Sequence, residues 1–109
     1  KNNMEQQPNL NYIHDLSGDD KEFEKKFINV LKEEIPLEKQ EYINAITSKD
    51  YKATAAIVHK LKHKLNILSL TDDYKLAVTF EENLKIEDCS LKDKFLIILN
   101  KIELYIKNL

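Results

Sequence analysis

The stretch "VHKLKHKLNILSL", residues 58–70, decides how the chain folds. Advancing about 100° per residue from Val58 gathers Val58, Leu61, Leu65 and Leu68 into one arc, so the segment reads as an amphipathic helix with that arc turned to a core. On the same wheel His59 lies about 140° from the centre of the arc and His63 nearly opposite it. Both imidazoles are therefore expected in solvent, one turn apart on one helix.

A helix with one apolar arc needs partners, and the flanking sequence supplies them. The histidine helix is expected to run from about Tyr51 to about Ser69. Beyond it, Thr71 with Asp72 and Asp73 suits a helix N-terminus, followed by a core side of Leu76, Ala77, Phe80 and Leu84. Ser90 is expected to cap a last helix, whose apolar positions Leu91, Phe95, Ile98, Ile102, Tyr105 and Leu109 are spaced for near-parallel helix packing. Upstream, "TSKD" at 47–50 is a break with Ser48 and Asp50 as candidate caps. Before it, Asp19 and Glu22 form a capping-box pattern ahead of an apolar stripe of Phe23, Phe27, Val30 and Leu31, continued by Tyr42, Ile43 and Ile46. Pro36 lacks an N–H and crowds the preceding turn, which predicts a kink or a new helix there. Leu10, Tyr12, Ile13 and Leu16 make one short turn stopped by Ser17 and Gly18.

The expected fold is all-α: an antiparallel up-down four-helix bundle with a short extra N-terminal helix. Residues 10–109 form its single domain, the size of one modest core. The polar opening, residues 1–9, reads as a linker or boundary that makes a larger parent protein plausible. One Gly and two Pro leave too little turn chemistry for a sheet of hairpins.

Composition narrows the function. All 17 basic residues are Lys against 19 acidic ones, a formal net charge of −2, which argues against nucleic acid as a partner. Cys89 has no partner in the chain, so no disulfide framework exists and a reducing, cytoplasmic setting fits. No apolar run approaches the roughly 20 residues that span a bilayer, and direct membrane contact is not expected.

Lys52, Ala55, Ala56, His59, Lys62, His63 and Asn66 fall on the stripe through His59. It combines small residues, which admit a partner surface, with lysines, which would stabilise arriving negative charge. Solvated residues on a lysine-rich face are the plain reading. Histidines at i and i+4 can share zinc, yet Lys60 stands where the metalloprotease pattern has Glu and the neighbouring ammonium groups repel a cation, so no metal is expected. The remaining chemistry is phosphoryl transfer, for which an exposed, approachable imidazole beside a cation is suited.

The run His59, Lys60, Leu61, Lys62, His63, with Leu68 and Ser69 further on, resembles the H-x-L-K-G motif and following L-G pair of histidine phosphotransfer (HPt) domains of multistep phosphorelays in two-component signal transduction. The likeness extends over "LSGDDKEFEKKFINVLKEEIPLEKQEYINAITSKDYKATAAIVHKLKHKL". It implies a phosphoprotein, with His59 as the phosphohistidine acceptor and Lys62 as phosphate support. The implied partner is a response-regulator receiver domain that brings the aspartate and magnesium; the chain is expected to hold no cofactor of its own. The linker-like start favours the tail of a hybrid sensor histidine kinase whose kinase part would be a second partner, a cytoplasmic domain of a parent that could be membrane-anchored. His63 stands where the family usually has glycine, and Ser69 replaces the second glycine. With no Gly-rich phosphate loop or nucleotide-binding pattern, a relay module is expected rather than a freestanding kinase or phosphatase. The alternative is a non-phosphorylated four-helix adaptor binding a signalling protein through the histidine-helix face.

Overall fold

The computed structural model describes residues 5–109. Five helices follow one another: α1 (Asn11–Ser17), α2 (Lys21–Thr47), α3 (Tyr51–Ile67), α4 (Thr71–Leu84) and α5 (Lys92–Lys107). Side-chain pairs between them set the directions. Lys60 meets Glu41 and Lys64 meets Glu34 and Glu38, so α3 numbers rise as α2 numbers fall. The same inversion relates α2 to α5, where Lys39 meets Glu103 and Lys32 Nζ donates to the Leu109 carbonyl. Neighbours pack as α2–α3, α3–α4, α4–α5 and α5–α2, which closes an antiparallel up-down four-helix bundle with α1 laid on α2. Among the described residues no helix is long and apolar enough to cross a membrane.

The core is one cluster to which every helix contributes, including Ile13, Leu31, Ile35, Leu61, Leu65, Leu99 and Ile102. Tyr42, Phe80 and Phe95 join three helices with ring centroids 5.1–6.2 Å apart, Tyr42 meeting the other two edge to face and Phe80 tilted against Phe95. Tyr42 OH donates to the Lys92 carbonyl at 2.9 Å, the partner a buried phenol requires. Its burial, with Asp93 and Cys89 nearby, pushes the Tyr42 hydroxyl well above the ordinary phenol range.

Helix α2 departs from its expected stripe. Leu31 is buried, but Phe23 is 41% and Val30 50% exposed, while the core side is Leu31, Ile35, Glu38, Tyr42 and Ala45. The first turns of α2 run past the end of α3, so Phe23 and Val30 stay exposed, while Phe27 between them is half-buried and packs against the core. Pro36 does not divide the helix either. It removes the bond to the Lys32 carbonyl, but both residues line an open groove where water can replace it.

Three connections share one device. Lys49, Ser69 and Glu87 have φ of 59°, 67° and 62°, and each sits where a left-handed residue closes a helix. The six-to-one bonds of that closure run from Asp50 N–H to Ala45 O, Leu70 N–H to Leu65 O and Asp88 N–H to Asn83 O. These turns also relocate the expected caps. Asp50 closes α2 and caps α3, accepting from Ala53 N–H. Leu70 likewise closes α3 and occupies the N-cap of α4, leaving Thr71 one residue too late to cap. At α5 the N-cap is Leu91, and Ser90 N–H donates to Asp88 instead. At α2 the left-handed Gly18 and the turn bond from Asp20 N–H to Ser17 O shift the cap from Asp19 to Asp20, which accepts from Phe23 N–H.

With Thr71 displaced, the start of α4 is served from far away. Gln6 Oε1 accepts from Asp72 N–H at 2.8 Å, and Gln6 Nε2 donates to Thr71 Oγ1 at 3.2 Å. Lys101 Nζ donates to the Gln6 carbonyl and to Asp73, Asn9 N–H donates to the Leu68 carbonyl, and Pro8 is buried. Residues 5–9 thus lie along the bundle without secondary structure of their own.

Candidate functional site on the α3–α4 seam

Helix α3 is held firmly at both ends. Asp50 caps it, Thr54 Oγ1 donates to the Asp50 carbonyl at 2.7 Å, and the Ser69 turn closes it. Val58, Leu61, Leu65 and Leu68 are fully buried, the arc expected from the wheel. The opposite side therefore faces solvent, and His59 and His63 are both exposed.

His59 is 53% exposed, and its Nδ1 lies 3.0 Å from Oε2 of Glu81 on α4. The other oxygen of that carboxylate accepts from Lys62 Nζ at 2.8 Å. Burial works against the charged form of Glu81, but the hydrogen bonds from Lys62 and His59 outweigh it and hold the carboxyl below its ordinary range. Glu81 is thus ionised at neutral pH and can only accept. Nδ1 of His59 must carry the hydrogen of this bond, so the neutral ring keeps its lone pair on Nε2. The His63 ring stands edge-on to His59, with centroids 5.0 Å apart and planes at 83°.

Of the expected site residues, His59, Lys62 and His63 come together. Lys62 lies one turn from His59, but its side chain is only 14% exposed and its ammonium is held by Glu81. The alanines divide. Ala55 shares the His59–Lys62 side of α3 and packs partly against the core, whereas Ala56 lines a shallow groove toward α2 with Glu41 and Lys60. Lys52 and Asn66 are exposed nearer the two ends of the helix. Among the described residues no group of three or more His, Cys, Asp or Glu is placed to hold a metal ion.

Glu81 is the residue sequence reasoning missed. Its signal was a carboxylate on the core side of α4, beside the buried Ala77, Phe80 and Leu84; a charged group at such a position needs a cationic partner. No family model, no curated protein and no solved structure matches the chain.

The chemistry open to this site follows from the Nδ1 bond. A half-exposed imidazole that donates from Nδ1 and keeps its lone pair on Nε2 is a nucleophile. If it gains a substituent on Nε2 the ring becomes cationic, and Glu81 is placed to balance that charge without any proton leaving Nδ1.

Proposed function

We propose that the protein is a histidine phosphotransfer module, in which His59 takes a phosphoryl group from the aspartate of a response-regulator receiver domain and returns it. The lone pair on Nε2 attacks phosphorus, the N–P bond forms, the acyl O–P bond breaks, and its electron pair returns to the aspartate carboxylate. The imidazolium that results keeps its hydrogen on Nδ1 and donates it to Glu81. Reversal discharges it. The receiver supplies the aspartate and magnesium; this chain supplies an oriented nucleophile in a phosphorelay.

The observation that carries this reading is the ionised Glu81 accepting from His59 Nδ1, which leaves Nε2 as the reactive nitrogen. Ser69 adds support: it holds a left-handed φ of 67° at the position where the resembled motif has glycine. Lys62 favours the adaptor reading instead, because its ammonium is committed to Glu81. One experiment separates the two. A receiver charged with a small phosphodonor is mixed with the protein, and acid-labile, base-stable phosphate is sought on it. Wild type and His63→Gly should become labelled and His59→Gln should not. No label on folded wild type would leave the adaptor reading.

A further inference from the structure

The lysines that follow His59 do not stand ready for an anion. Lys60 reaches back to Glu41 on α2, Lys62 is held by Glu81, and Lys64 by Glu34 and Glu38. The last two ammonium groups are also largely buried, with side chains 14% and 11% exposed. A phosphoryl group on His59 Nε2 would bring three negatively charged oxygens to this face, and each of these lysines would have to leave a carboxylate to meet them.

One turn from His59 on α3 stand Ala55, Ala56, Lys62 and His63. Only Lys62 and His63 carry side-chain donors, and Lys62 is engaged. His63 is not: among the described residues no hydrogen bond or ion pair holds it, and it meets the His59 ring with centroids 5.0 Å apart and planes at 83°. An imidazole always has a donor to offer, one N–H when neutral and two when protonated. The last torsion of a histidine side chain is broad and His63 is exposed, so either nitrogen can turn toward a group on Nε2. Phosphoryl oxygens are arranged around the N–P axis, above and below the His59 ring plane, where a perpendicular neighbour about 6 Å along the helix can reach one.

We propose that His63 donates to a phosphoryl oxygen on His59 and so lengthens the life of the phosphohistidine. The inference rests on the reading of His59 as phosphoacceptor. In loss to water, the water oxygen bonds to phosphorus, the N–P bond breaks with its electron pair returning to Nε2, and inorganic phosphate leaves with both protons of the water. The transition state of that step is loose and metaphosphate-like, with less charge on the oxygens than the resting phosphoramidate carries. A donor to those oxygens therefore stabilises the resting state more than the transition state and slows the loss. The glycine of the resembled motif has no such donor.

Phosphoramidate labels exposed histidines directly, so the test needs no receiver, and its outcome is separate from that of transfer from one. Wild type, His63→Gly, His63→Leu and His63→Gln are labelled, excess donor is removed, and phosphate on His59 is located and followed at neutral pH by peptide mass spectrometry. The wild-type label should outlast that of His63→Gly and His63→Leu by roughly fivefold, the effect of one hydrogen bond of about 1 kcal/mol. His63→Gln keeps an N–H donor and should recover most of that lifetime, with circular dichroism showing all four proteins equally helical. Equal lifetimes in all four, or a longer one in His63→Gly, would overturn the proposal. So would His63→Leu matching wild type, which would make bulk and not a donor the cause, or His63→Gln doing no better than His63→Leu. No label on His59 in any of them would instead strike the phosphoacceptor reading, and this inference with it.

Discussion

Glu81 accepts from His59 with one oxygen and from Lys62 with the other, so one carboxylate sets the tautomer of the first and the position of the second. Replacing it with Gln keeps the shape and removes the charge that balances a mostly buried ammonium. Glu81→Gln should retain full helicity but lose about 1–2 kcal/mol at pH 7 in urea unfolding. The sign with pH is fixed by the depressed carboxyl of the folded state. The unfolded chain holds a proton more readily, so the contribution of Glu81 is complete above its ordinary value of 4.5 and fades as pH falls through the lower folded one. Wild type should therefore lose stability more steeply than Glu81→Gln on acidification below about pH 4.5; parallel curves would remove Glu81 from that linkage. The exposure of His59 was legible because it depends only on angle within one helix. Glu81 as its partner was not, since which residue of α4 lies beside His59 depends on the register of two helices.

At the scale of the element, helix closure was hidden because the residues that do it are not glycine. Lys49, Ser69 and Glu87 adopt a backbone that disfavours side chains. Ser69→Gly should relieve that strain, offset in part by the greater freedom of glycine in the unfolded chain. A net gain of about 0.5–1 kcal/mol in denaturant unfolding is expected, and a loss would mean that the Ser69 side chain contributes more than its backbone costs. Helix α3 was read correctly because its apolar arc is covered on both flanks, by α2 and α4. Phe23 and Val30 in the upstream half of α2 were misread for the converse reason. Periodicity identified Phe23, Phe27 and Val30 as a stripe; Phe27 does pack against the core, but packing covers the side on which a neighbour lies, and α3 has ended before it reaches Phe23 and Val30. Nor does Glu38 look like a core residue until Lys64 is seen to reach it at 3.0 Å.

For the whole molecule, the four-helix count and antiparallel order were legible from the breaks at 47–50, 68–70 and 85–91, while cohesion depends on contacts between distant segments. Tyr42, Phe80 and Phe95 tie α2, α4 and α5 together in one aromatic cluster. Truncating the central ring removes contacts to two helices at once, so Phe80→Ala should cost about 3–5 kcal/mol and lower the thermal midpoint of the entire bundle in one transition. A second transition would show that α4 can melt apart from the rest.

Gln6 supplies to α4 what a capping side chain normally supplies from one residue upstream, though it is 66 positions away in sequence. The Asp72 amide therefore has a shelter that can be withdrawn without melting a helix. In native-state hydrogen exchange it should become labelled through local release of residues 5–9, well before the amides deep in α4 that wait for global unfolding. Gln6→Ala should accelerate exchange at Asp72 while leaving Phe80 slow, which makes that single proton a clock for how often the leading segment lets go of the bundle.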